Sequence, residues 1–343
     1  GLYRAVLFIL SKSADGELQT RVINSILDPI LTEWSSDELG EVMGSGAALA
    51  SALGLDGSLS EAYGSGVAPF GTSAALTIRE RIHFLLAVMK AVAMLSTNWQ
   101  VSALAPYHQV ILGPLFSVIS ALNEFYTPNV AGQLPEAYGE LLTILEDAHA
   151  DDSNESKLGS LSLLESPKEQ LVIMKWWLVN THQEALSLLA CLMRSSSFFE
   201  VPGVGEALLS TVFSNIDNIP VAVLCTLISD VMATLRRKAP DELKPDILFP
   251  VIKPFIEFVQ SRLDTAWVAL ASDSGRESAE DAKAEIQMEN ELRKATLAFA
   301  SFLRGLSFRL ATVGSTEVDA PLEAQFLASN LASEFASAAL NLL

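Results

Sequence analysis

The sequence predicts an all-α fold, an α-solenoid built of antiparallel helix pairs. Three observations carry this. Apolar residues recur at helical steps over nearly the whole chain. No stretch alternates with a period of two, and no Asn-Gly or Asp-Gly turn joins two strands; Asp56-Gly57 sits in a Gly/Ser/Ala run with no strand on either side. Prolines recur inside otherwise helical stretches, where each removes a backbone hydrogen bond and bends the rod.

Taken in order, residues 2–12 open the chain as a helix. In 17–34, Leu18, Val22, Ile26 and Ile30 form one row, and Ile23, Leu27, Leu31 and Trp34 the adjacent one. A helix over 37–50 follows. Segment 76–95 repeats the stripe with Ile78, Ile82, Leu85, Leu86, Met89, Val92 and Leu95. Further helices are expected at 108–126, 135–146, 166–194, 204–215, 219–238, 243–269, 278–312 and 321–342. Pro29, Pro114, Pro245, Pro250 and Pro254 fall within these patterns. Kinked helices paired with straight ones suit a curved solenoid. The expected pairs are 2–12 with 17–34, 76–95 with 108–126, 166–194 with 204–215, 219–238 with 243–269, and 278–312 with 321–342. Their spacing of roughly 40–60 residues fits HEAT-like units and a right-handed superhelix better than shorter helical repeats. The whole of 1–343 is then one continuous solenoid segment of about five to six hairpins.

Three interruptions are expected. Residues 44–73 are rich in Gly, Ser and Ala, contain no Lys or Arg, and read as a loop. Residues 146–160 read as an acidic loop. A second acidic loop, 273–291, runs into a helix whose positive N-terminal end suits carboxylates.

The chain has 343 residues, 22 Lys plus Arg against 41 Asp plus Glu, and a net charge of -19. Clustered basic charge is what phosphate binding needs, so the chain taken whole is no nucleic-acid clamp. Half of its residues are hydrophobic, 18% are charged, and mean hydropathy is +0.33, which excludes long-range disorder. Cys191 and Cys225, each in an apolar run, read as buried thiols in a reducing compartment. No leader is recognisable, and the opening Gly-Leu-Tyr-Arg, without Met, reads as the start of a piece of a longer protein. Residues 91–123 lack Lys, Arg, Asp and Glu, but their cleanest apolar stretch, Val110 to Leu122, is shorter than the roughly 20 residues a span needs. A buried helix is expected there, and no membrane insertion.

No catalytic constellation emerges. His83, His108, His149 and His182 lie on separate segments, none with a second His or Cys at metal-ligand spacing. There is no G-x-S-x-G, P-loop or H-E-x-x-H motif. Gly44-Ser45-Gly46 starts a dinucleotide fingerprint but lacks its third glycine and a preceding strand. Asn154-Glu155-Ser156 is a glycosylation sequon, idle outside the secretory route. The expectation is no enzyme, no metal and no cofactor. The one tight basic cluster is Arg236, Arg237 and Lys238. It suits a helix C-terminus, and it is also the candidate contact for an acidic or phosphorylated cargo. Arg79 and Arg81, and Arg293, Lys294, Arg304 and Arg309, are more scattered. Trp176-Trp177 point to two sides of one helix, one a core residue and the other either core or a docking anchor. The acidic stretches are solvated surface or meet a basic partner.

The order of several segments then resembles a known family. Leu208-Leu-Ser-Thr-Val-Phe-Ser-Asn-Ile-Asp-Asn-Ile-Pro220 is similar to a stretch in the C-terminal half of exportin-5-type karyopherins. So is Asp246-Ile-Leu-Phe-Pro-Val-Ile-Lys-Pro-Phe-Ile-Glu-Phe-Val-Gln-Ser-Arg-Leu-Asp-Thr-Ala-Trp267, followed as in that family by an acidic loop, here 273–291. Ala5-Val-Leu-Phe-Ile-Leu-Ser, Ile30-Leu-Thr-Glu-Trp34 and Ile111 to Pro128 add collinear similarity over almost the whole chain.

The resemblance implies a middle-to-C-terminal portion of a HEAT-repeat nuclear transport receptor of the importin-β superfamily, with the fungal branch among the placements it allows. Such receptors bind cargo together with Ran-GTP, pass nucleoporins and shuttle between nucleus and cytoplasm. Animal members carry structured small RNA; the fungal branch is associated with phosphorylated proteins and some import. The family's principal Ran site lies toward the N-terminus, outside this segment. The rival reading is a HEAT-type protein-interaction scaffold with no Ran-dependent switch.

Overall fold

A computed structural model describes residues 5–6, 8–9, 15–55, 73–96, 104–134, 167–272 and 279–313. Among them there is no strand. The helices are α1 (Gly16–Trp34), α2 (Asp37–Val42), α3 (Gly46–Ala52), α4 (Ser73–Ser96), α5 (His108–Phe125), α6 (Pro128–Ala131) and α7 (Pro167–Leu192). After them come α8 (Ser196–Phe199), α9 (Val204–Thr211), a continuous α10, α11 (Lys244–Ile247), α12 (Phe249–Ser272) and α13 (Ala279–Val313). Helix α10 runs from Val221–Thr226 through a π-helical stretch, Leu227–Met232, into Ala233–Lys238.

These helices make two layers. In one, α4, α7, α10 and α13 pack side by side in that order. In the other, α1 packs on α5, α5 on α9, and α9 on α11 at the head of α12. The layers meet where α1 packs on α4, α5 on α7, and α12 on α13. One continuous apolar core fills the space between them, with Leu27, Trp34, Leu86, Ile119, Trp177, Leu189, Val223, Phe255 and Phe299 all essentially excluded from solvent. The all-α solenoid predicted from periodicity is the observed architecture.

The pairing register differs by one helix from the expected one. The expected partner of 76–95 was 108–126; its main partners are instead α1 and the neighbouring α7. Likewise 243–269 packs with 279–313 rather than closing a hairpin with 219–238. The connections at 195–203 and 239–243 link successive pairs rather than closing hairpins, and the long segments after α1 and α5 lie within pairs. This register gives the prolines a common place: Pro29, Pro114 and Pro254 all lie in the α1, α5 and α12 layer.

The expected loop over 44–73 needs a second correction. Residues 46–52 are helix α3, and the helix expected over 37–50 is broken in two at residues 43–45. Ser45 caps α3, its side chain accepting from the Ala48 amide at 3.1 Å. The helix ends in a Schellman turn: Gly54 has φ 72°, its N–H donates to Ser51, and the Leu55 N–H donates to Ala50. Leu49, Leu53 and Leu55 are buried. At the other end the Gly46 N–H donates to the Glu124 carboxylate at 2.7 Å, so the last turn of α5 caps α3. A Cβ on Gly46 would stand 2.7 Å from the Phe125 backbone nitrogen, which is why glycine occupies this position. The rest of that loop, the loop 146–160 with His149 and Asn154, the helices 135–146 and 321–342, residues 273–278 and most of 2–12 lie outside the described residues.

Helix α5, with residues 105–107 before it, is long and apolar enough to cross a membrane by length and composition, at a mean hydropathy of 1.2. Its stripe of Ile111, Leu115, Ile119 and Leu122 is instead buried against α3, α7 and α9. The expectation of a core helix holds for this segment.

Candidate functional site

Neighbouring units are tied together by side chains that donate to backbone carbonyls. Trp34 Nε1 donates to Ile111 O at 3.1 Å, in the turn that Pro114 interrupts. The Asn123 amide reaches Thr211, Val212 and Ser214 carbonyls at 3.1, 3.2 and 3.0 Å. Trp177 Nε1 donates to Arg79 O at 3.3 Å, and Gln183 to Ala222 O at 3.0 Å. Trp177 is therefore a core clasp, and Trp176 is partly buried against the same core rather than a free docking anchor.

Arg236 belongs to this set. It is half-buried and its Nη1 donates to the Gly305 carbonyl of α13 at 2.7 Å. Gly305 lacks a side chain where the guanidinium lies; a Cβ there would be 2.8 Å from Arg236 Nη2. Arg237 and Lys238 are exposed, and Arg237 Nε donates back to Ala233 O at 2.9 Å, in the negative last turn of α10. Of the predicted cluster, one residue is committed to packing and two face solvent.

The layer brings further basic groups to the same edge. Helices α7 and α10 run side by side in one direction, with Gln183 on Ala222 and Ser187 on Asp230 (2.9 Å). Their C-terminal ends, carrying exposed Arg194 and exposed Arg237 with Lys238, therefore come out together. The Arg236–Gly305 contact brings the C-terminal part of α13, with exposed Arg304, to that edge as well. Arg194 was not singled out from the sequence. No motif joins it to residues some 43 positions later; only the parallel packing does. Asp241, just beyond α10, is engaged by Lys244 at 2.7 Å. The π turn in α10 places Asp230 between Ser187 and Ser229 (3.0 Å), fixing α10 against α7.

The histidines do not assemble. His182 is wholly buried, stacked on Tyr126 at 6.3 Å, and burial holds its pKa down at about 3. His108 packs edge-on against Phe198, and burial lowers its pKa too. His83 lies on α4. Among the described residues no group of His, Cys, Asp or Glu could hold a metal ion. Both cysteines are free, and burial pushes both thiols up, away from the reactive thiolate. Arg79 is fully buried and its pKa is lowered to about 10 by desolvation; Arg81 is raised by hydrogen bonds to Glu38 and Glu33. The arrangement offers an exposed basic edge on a stacked helical array.

A family model described as the Exportin-5 family matches residues 2–319. No curated protein matches the chain.

Proposed function

The chain belongs to the exportin-5 family, and from that premise we propose that it is the part of a nuclear export receptor that binds cargo cooperatively with Ran-GTP. The family is one of transport receptors and not of enzymes, and its members shuttle between nucleus and cytoplasm. The observation that carries the reading is the family match, which runs through a single two-layered helical array. Binding linkage is the mechanism. Ran-GTP and cargo each favour one curvature of the solenoid, so each raises the other's affinity by the same factor. Nucleoporin contacts carry the complex through the pore, and GTP hydrolysis releases it. Ran binds mainly through parts of the receptor outside this chain.

The cargo contact assigned here is the basic edge of Arg237 and Lys238, with Arg194 and Arg304 beside them. Its chemistry suits phosphate or carboxylate groups, on a phosphorylated or acidic protein or on structured small RNA. Arg236 supports the edge from behind through Gly305. The test is charge reversal, Arg237→Glu with Lys238→Glu, in the intact receptor. Cargo capture with Ran-GTP should fall at least about tenfold, on the order of 1.4 kcal/mol, while thermal stability stays unchanged. Unchanged capture removes these residues from the site. Capture indifferent to the nucleotide on Ran favours the scaffold reading over the receptor.

A further inference from the structure

Helix α13 packs on α10 along one side and on α12 along another. Its outward strip runs Ile286, Asn290, Arg293, Leu297, Ser301 and Arg304, all exposed. Steps of three and four keep the six on one face, about 27 Å from end to end at 1.5 Å per residue. Leu297 is 68% exposed and Ile286 60%. Single apolar side chains on a surface are ordinary. Here two of them, three turns apart, share one strip with exposed Arg293 and Arg304, and exposed Lys294 stands beside it. The charge of this face is the reverse of the chain's. Residues 292–313 contain Arg293, Lys294, Arg304 and Arg309 and no Asp or Glu, in a chain with 41 Asp plus Glu against 22 Lys plus Arg. Just before them, Glu291 is buried, and Glu289 pairs with Arg293 at 2.6 Å while leaving it exposed. Helix α10 runs in parallel beside this face, with Arg236 at Gly305 and Cys225 within electrostatic range of Lys294. That register sets Ser229 alongside Ala298, two small residues, so another helix can approach the junction closely beside Leu297.

We propose that the outer face of α13 docks an acidic amphipathic helix presented by a protein partner. The partner's apolar side chains cover Leu297 and Ile286, and its carboxylates meet Arg293, Lys294 and Arg304. Charge complementarity selects an acidic segment, because a basic one would meet only cations along 292–306. The exposed apolar pair selects protein over RNA, whose phosphate backbone gives these side chains nothing to pack on. The net charge of -19 acts against an acidic partner at long range, but physiological salt screens it beyond about 8 Å, so the local cations decide. The face adjoins the edge of Arg237 and Lys238 without including them, so it stands whichever ligand that edge takes.

The test uses the full chain and a defined probe, a capped, fluorescein-labelled helical peptide of about 18 residues, long enough to span the strip. It carries leucine at every third or fourth position, glutamate on the flanks and alanine elsewhere. Two control peptides replace the leucines or the glutamates by glutamine. Fluorescence anisotropy should show the probe binding with a dissociation constant on the order of 10 µM, and both controls at least about tenfold more weakly. Leu297→Asp with Ile286→Ser, and separately Arg293→Gln with Lys294→Gln, should each weaken the probe at least about tenfold. All four residues are exposed, so thermal unfolding should stay unchanged. Arg237→Glu with Lys238→Glu should leave the probe's affinity as it was, which separates this face from the basic edge. Four results overturn the proposal. They are no binding up to about 200 µM, binding that survives loss of Leu297 and Ile286, an RNA duplex that displaces the probe equally well, and a Leu297→Cys thiol that resists maleimide in the native chain because the face is already covered.

Discussion

One polar side chain, Asn123, joins two units of the array. It is 1% exposed, on α5, and its amide faces three carbonyls at the end of α9, at 3.0 to 3.2 Å. Those carbonyls belong to a helix end, where no intrahelical donor remains. An amide NH₂ has two hydrogens, so at least one is shared. Replacing it by Ala removes about two net hydrogen bonds, each worth about 1 kcal/mol, and takes this donor from the Val212 and Ser214 carbonyls, while Thr211 O keeps the Ser214 hydroxyl at 3.0 Å; the expected loss is about 2–3 kcal/mol. Asn123→Asp keeps the shape and reverses the chemistry, because a carboxylate can only accept and would face three acceptors. Near neutral pH it should cost more than Ala. Its folded-state pKa is raised above the unfolded value, so the excess cost grows above roughly pH 4 and shrinks on acidification. Urea denaturation of the three proteins at pH 7 and pH 5 measures this. Hydrogen exchange should show the lost protection concentrated at 204–218, since solenoid units open locally. If Asn123→Ala costs less than about 0.5 kcal/mol, or Asp matches Ala at pH 7, the triple-carbonyl clasp is not what joins these units.

Three other outcomes are expected. Gly46→Ala should destabilise by about 1–3 kcal/mol, because its Cβ meets backbone that cannot give way. Gly40→Ala, where a Cβ meets nothing, should stabilise by about 0.5–1 kcal/mol; thermal denaturation reads both. His182 has a folded-state pKa of about 3 against 6.5 unfolded, so the unfolded chain takes up a proton that the folded one refuses. Stability attributable to it should fall as pH drops below 6.5, reaching a loss of about 2 kcal/mol by pH 5, and His182→Leu should flatten this dependence in urea titrations.

The apolar stripes made the helices legible, because burial on one face imposes the 3.6-residue period directly on the residue order. The row Ile23, Leu27, Leu31 and Trp34 and the stripe running on to Met89 and Val92 are buried where expected, whereas Leu18, which opens the first stripe, is exposed. Which helix packs on which was not legible. Helices 73–96 and 167–192 meet across a long intervening stretch, and loop length is a poor guide to layer register. Helix α3 did carry its signals, Ser45 as cap, Leu49 and Leu53 one turn apart and Gly54 beyond the end, but a run of small residues read as loop. The π turn around Asp230 leaves no mark in composition. Arg236–Lys238 was visible as a cluster; that Arg236 faces Gly305, and that Arg194 shares the edge with Arg237, depends on neighbours brought together only by folding.

The most direct test of the receptor assignment is titration of the intact protein with Ran in its GTP and GDP forms, with and without an acidic or phosphorylated cargo. The account predicts tight binding to the GTP form alone, and an affinity for it that cargo raises by the factor by which Ran-GTP raises the affinity for cargo. Equal binding of the two nucleotide forms, or an affinity for Ran-GTP that cargo leaves unchanged, would contradict it.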